Sequence, residues 1–259
     1  MAQDTVPAPT RRDRVRAATT REILQTARRL LVDQGPDAVS LRAIAREMGM
    51  TAPALYRYYD SHETLLKYVI ADIFTELTTD LRGAIDAAGA ASGGDLTQKV
   101  IAAAWQFRRW SLGHPKEFSL LFGTPLPGVN IERDDITAEC GGKFGNVFFA
   151  LILELWQRHP FPVPADDEID PGLLEQLGRY RDGLGGLAAG LPAGLLLIFL
   201  RCWVRLYGIV SLEVFGHLGF ALDDAAPMFE IMLSETAPLL GLTYPPPASP
   251  APSQPPAEG

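Results

Sequence analysis

The sequence predicts an all-α protein, and three observations carry that expectation. No stretch sustains the every-second-residue alternation of a half-buried strand, apolar residues recur at three- and four-residue spacing, and capping residues, Gly and Pro punctuate the chain at helix-length intervals. With 259 residues, 47% hydrophobic and 21% charged, the chain is long enough to bury a substantial core in one large or two modest domains.

Residues 1–18 alternate Pro, Thr, Asp and Arg and read as a disordered arm without the apolar run of a signal peptide. The first helix is expected from Thr19, with Glu22 completing a capping box and Ile23, Ala27, Leu30 and Leu31 on one face, until Gly35 and Pro36 stop it. Ser40 can cap a short second helix, "LRAIAREM", whose apolar side is Leu41, Ile44, Ala45 and Met48 and which Gly49 ends. Thr51 caps a third, in which Pro53 is tolerable because a first-turn N–H has no intrahelical partner to lose. Asp60 with Glu63 opens a long fourth helix. Two short helices joined by a glycine turn and buttressed by a longer one make a helix-turn-helix domain over 19–66, with Ile44, Met48 and Leu55 as its small core. Beyond it, helices are expected near 62–88, 95–112, 115–122, 134–158, 170–188, 193–217 and 224–240, forming a larger helical domain over 67–243. The stretch "PPPASPAPSQPPAEG" makes 244–259 a disordered Pro-rich tail.

The segment "MTAPALYRYYDSHETLL", 50–66, places three tyrosines beside a run of small residues. In a helix-turn-helix the second short helix enters the DNA major groove by its N-terminal end. Ala52, Pro53 and Ala54 let the backbone approach base edges, and Tyr56 and Tyr58 can lay their rings along the sugar-phosphate edge and donate to phosphate oxygens. Tyr59, four residues after Leu55, is expected to face inward. Net charge is −8, yet residues 1–60 carry ten arginines against seven acids, leaving 13 basic and 24 acidic residues in the remainder. A basic head on an acidic body suits a DNA-reading module attached to a regulatory domain.

Residues 21–66, "REILQTARRLLVDQGPDAVSLRAIAREMGMTAPALYRYYDSHETLL", resemble the DNA-binding domain of TetR-type transcriptional regulators. The resemblance implies a homodimeric, ligand-responsive regulator, most simply a repressor released from a palindromic operator. It places Ser40, Arg42, Thr51, Tyr56 and Tyr58 where family members touch phosphates or bases. Tyr58 stands where the family commonly has His, and His62 where it commonly has Lys, which implies a shallower salt dependence. Arg57 and the arginines of the N-terminal arm are the compensation available. Further on, "WVRLYGIVSLE", 203–213, resembles the Trp-x-x-x-His-Gly pattern of one TetR C-terminal subfamily, with Tyr207 in place of His.

The larger domain is rich in aromatic residues, and an apolar pocket walled by Trp105, Phe122, Phe148, Trp203 and Tyr207 would take a small hydrophobic or aromatic ligand. The last two helices are apolar over more than one face, as an isologous homodimer contact requires. "LPAGLLLIFL" runs into Arg201 and is too short to span ~30 Å of hydrocarbon, so no membrane association and a cytoplasmic location are expected. The four histidines lack metal spacing, no nucleophile elbow or phosphate loop occurs, and Cys140 and Cys202 form no paired motif. Neither catalytic residues, metal nor cofactor is expected. The rival reading is an all-α enzyme or small-molecule-binding protein whose helix-turn-helix is purely structural.

Overall fold

The computed structural model describes residues 10–35, 38–123 and 135–244, and among these every regular element is helical. They are α1 (Arg11–Gln34), α2 (Leu41–Glu47), α3 (Ala52–Tyr56), α4 (His62–Ala91), α5 (Leu96–Gly113), α6 (Pro115–Phe122), α7 (Ile136–Arg158), α8 (Pro171–Gly183), α9 (Ala193–Val214) and α10 (Ala226–Thr236). Pro36, the Pro-rich tail from 245 onward and the first nine residues of the expected arm lie outside the described residues.

Two compact units result. The first contains Met1–Gly83 with Arg109–Val147, the second Ala84–Arg108 with Phe148–Gly259. This division departs from a chain-order boundary after residue 66, because α6 packs on α1 and Phe74 of α4 meets the rings of Phe122 and Phe144 at 5.8 Å each.

In the first unit, α1 buries Ile23, Ala27, Leu30 and Leu31, the face its sequence spacing implies. It begins at Arg11, however, and not at Thr19. The Asp13 N–H donates to Thr10 Oγ1 at 3.2 Å and the Thr10 N–H to Asp13 Oδ2 at 3.0 Å, an earlier capping box that extends the helix through eight exposed residues. Thr19 lies inside the helix, its hydroxyl donating to the Val15 carbonyl at 3.1 Å. Ile44, Ala45 and Leu55 form the small core between α2 and α3, whereas Met48 is half-buried. Ser61, rather than Asp60, caps α4: its Oγ accepts from the Thr64 N–H at 3.0 Å. Thr51 occupies the N-cap position of α3, but its hydroxyl makes no capping bond and the helix starts at Ala52.

In the second unit, α8 and α10 pack on α9. Phe149 and Leu155 of α7, Leu177 of α8 and Leu195, Leu196 and Phe199 of α9 share one buried cluster. The α7 and α9 helices are long and apolar enough to cross a membrane by length and composition, and much of that apolar surface is spent on the protein interior. Helix α8 ends at Gly183, short of the expected 188, because Gly185 turns the chain at φ +61°. Helix α10 gives way after Thr236 to a tighter turn through Pro238.

Candidate nucleic-acid interface and apolar cavity

The head assembles a solvent-facing edge from α2 and α3. Ser40 Oγ accepts from the Ala43 N–H at 3.1 Å, which fixes the start of α2 and leaves exposed Arg42 in its first turn. Gly49, at φ +64°, turns the chain, and the Met50 N–H returns to the Ala45 carbonyl at 2.8 Å, so α3 leaves at a set angle. Thr51, Pro53, Arg57 and His62 are exposed, as is Ser40, and Ala52 and Ala54 are half-buried with only a methyl group each above the backbone. Tyr56 is 49% exposed. Tyr58 is half-buried, with the Arg16 guanidinium 5.3 Å from its ring centroid. Tyr59 turns inward, 3% exposed and edge-on to Tyr68 at 5.4 Å, and burial pushes its hydroxyl up to about 12. The residues expected to meet DNA therefore lie on α2, α3 or the turns beside them, except His62, which opens α4, and Tyr59 belongs to the core. Arg16 is the neighbour that sequence spacing did not single out, because its helix was expected to begin after it.

Behind this edge the first unit is tied by a charged hub. Arg28 of α1 makes a two-pronged ion pair with Glu76 of α4 and donates from Nε to Glu117 of α6 at 3.1 Å. Glu117 is buried. The Trp110 indole N–H reaches Glu76 at 3.4 Å, and His114 stacks on that indole at 4.9 Å. The Arg28 hydrogen bonds hold the Glu76 carboxyl below its ordinary range, while burial raises that of Asp72.

The second unit contains a partly open apolar cavity of about 70 Å³. Phe148 and Trp203 line it together with Val100, Phe199, Cys202 and Met232. The other expected wall residues are elsewhere. Tyr207 stacks on Trp203 at 5.7 Å without reaching the cavity, and Trp105 packs edge-on to Phe229 at 4.9 Å. Phe122 belongs to the first unit, where it meets Phe118 at 5.0 Å and Phe74. Helical spacing could not separate these roles, since an aromatic residue looks the same in a core as in a cavity wall. Burial pushes the Cys202 thiol up to about 11, so at neutral pH it is a protonated, apolar wall group. Glu213, the last residue of the "WVRLYGIVSLE" stretch, forms a two-pronged ion pair with buried Arg108, whose guanidinium also lies 5.3 Å from the Trp105 ring. Among the described residues no group of three His, Cys, Asp or Glu side chains is arranged to hold a metal ion.

Residues 23–69 match the model described as bacterial regulatory proteins, tetR family, and residues 100–236 match a tetracyclin repressor-like C-terminal domain. The chain belongs to the TetR family. The HTH-type transcriptional regulator Rv1816 of Mycobacterium tuberculosis is 32% identical over 210 residues, which cover 81% of this chain and 86% of the relative. Mb1846 of Mycobacterium bovis matches over the same lengths at the same identity. The crystal structure of regulatory protein SCO4313 is similar at a TM-score of 0.67 and 32% identity, covering 88% of this chain and 98% of that one. A protein from Rhodococcus sp. RHA1 shares the fold at a TM-score of 0.59 and 20% identity, covering 94% and 100%. As a TetR-family member the protein is a helix-turn-helix transcriptional regulator and not an enzyme.

Proposed function

We propose that this TetR-family regulator is a cytoplasmic, homodimeric repressor that each α3 anchors in a major groove of a palindromic operator. The observation that carries this reading is the exposed edge in which Arg42, Tyr56 and Arg57 flank an N-terminal end of α3 built from Thr51, Ala52, Pro53 and Ala54. Half-sites would then lie about one helical turn, ~34–36 Å, or a somewhat larger distance apart.

Two more features support it. Exposed apolar side chains form a stripe along α9 at Val204 and Leu212, with Gly208 between them, and another on α10 at Met228 and Ile231. Such surfaces are covered in a soluble protein, and a second copy of the same two helices would cover them symmetrically. The cavity beside Trp203 is well below the ~300 Å³ of a drug-sized pocket, so an apolar effector enters by opening it. Effector binding releases DNA to the extent that the opened form has heads spaced wrongly for successive grooves, and its differential affinity for the two forms sets the limit.

A duplex selected by the protein from a random pool provides the test. Binding will be sequence-selective and will weaken steeply with salt, and Arg42→Ala will weaken it about tenfold or more per half-site, since a hydrogen bond to a charged group is worth ~1.5–3 kcal/mol. A protein that enriches no duplex, or binds all duplexes equally, would remove the regulator mechanism. Trp203 is the tryptophan that lines the cavity, so a change in tryptophan emission on effector titration that Trp203→Phe abolishes reports occupancy.

A further inference from the structure

The head has a second cationic feature beyond the edge just described. The eight residues that extend α1 before Thr19 add about 12 Å of helix at 1.5 Å per residue. They carry Arg11, Arg12, Arg14 and Arg16 against one acid, Asp13, whose carboxylate is committed to the capping box with Thr10. Arg11, Arg12, Val15 and Arg16 lie on one side of this extension and form one wall of an open groove of about 700 Å³. Met50, Ala54, Arg57 and Tyr58 form the opposite wall. Four guanidinium groups thus converge on one trough. One of them, Arg16, is held in place by the Tyr58 ring.

We infer that this trough seats a phosphodiester strand of the operator, making the α1 extension a second DNA contact that grips the backbone flanking the bases α3 reads. The inference rests on α3 entering the major groove, because one wall of the trough is α3 itself and the turn that follows it. A helix lying in a major groove has a phosphate strand at its side, and the trough is the concave, cationic surface at the side of α3. Guanidinium groups suit that occupant: they stay charged, and their forked donors match phosphate oxygens two at a time. Val15 and the Tyr58 ring add apolar surface suited to the sugar edge. The contact carries no base code, so it supplies affinity, salt dependence and length of footprint without altering sequence preference. It also supplies permanently charged phosphate partners that make up for the weak one, exposed His62.

The test compares the wild type with the triple variant Arg11→Ala/Arg12→Ala/Arg16→Ala on a duplex that the wild type has selected from a random pool, by fluorescence anisotropy across a potassium chloride series. All three side chains are exposed, so circular dichroism and melting temperature should change little. The expected result is a slope of log K against log salt smaller by about 2–3 per protomer, at ~0.9 for each phosphate no longer neutralised, with the ratio of selected to scrambled duplex unchanged. The Arg→Lys triple variant keeps the charge and recovers most of the slope. Trimming the duplex by about four base pairs at each end, some 14 Å at 3.4 Å per step, weakens the wild type but not the alanine variant. An alanine variant with wild-type slope and wild-type sensitivity to trimming overturns the inference, and is the result expected if the trough clasps an acidic protein instead. Wild-type protein that selects no duplex at all refutes the operator reading itself, a separate failure that removes the occupant proposed here.

Discussion

Replacing Val204 and Ile231 together by glutamate will split the protein into monomers and lower operator affinity by about 10²–10⁴-fold, the range expected when two linked binding events are uncoupled. Val204 is 66% exposed and Ile231 48% exposed within one chain, so neither substitution disturbs a packed interior. In an isologous contact each change appears twice, and four carboxylates would be buried without partners where methyl groups met before. Light scattering on the eluting peak should therefore fall from twice 28.2 kDa to 28.2 kDa, with the helical circular dichroism signal retained. A variant that keeps the doubled mass places the dimer contact elsewhere. One that becomes monomeric yet binds the selected duplex with wild-type affinity removes the two-headed mechanism. Lone heads still hold Arg42 and α3, so weak salt-sensitive binding should survive dissociation.

The helix-turn-helix was readable because each of its parts leaves a local mark. Ser40 caps α2 by a bond to the third residue on, Gly49 is needed for a left-handed turn, and Ile44 and Leu55 are apolar at positions where burial is complete. The start of α1 was misread for the same reason. Thr19 and Glu22 have the spacing of a capping box, but so do Thr10 and Asp13, and a helix already begun at Thr10 absorbs the later pair. Nothing local distinguishes the two candidates, because the residues between them are good helix formers that bury nothing. The cavity was half readable. Phe148 and Trp203 line it, while Trp105, Tyr207 and Phe122 serve packing at three other places, a difference set by partners far away in sequence. Long-range ion pairs were invisible for the same reason: Arg28 and Glu117 are 89 residues apart, and Arg108 and Glu213 are 105 apart.

The Arg28 hub carries the second large effect. Arg28→Met should destabilise the protein by about 3 kcal/mol at neutral pH, the low end for removing one partner of a buried pair, because Glu117 is 7% exposed in its side chain while Glu76 keeps 39%. The loss is one of uncompensated desolvation: methionine fills much of the volume but leaves the Glu117 carboxylate without its cation. Replacing both partners, Arg28→Met with Glu117→Leu, should recover most of the stability, since two apolar groups of similar volume have no desolvation to offset. Urea unfolding of the two variants separates this account from simple loss of packing, which the double variant would make worse. Acid supplies an independent check. The folded-state pKa of Glu76 lies below its ordinary value of 4.5, held there first by the hydrogen bonds from Arg28, so its contribution is complete above that value and fades as pH falls through the lowered one. Arg28 also pulls down the Asp72 carboxyl, which burial raises. Without Arg28 both acids protonate more readily, so the gap between wild type and Arg28→Met should narrow as pH falls from neutrality through 4.5 and below. A gap that stays constant over that range would mean that α1, α4 and α6 are held together by shape, with the charges incidental.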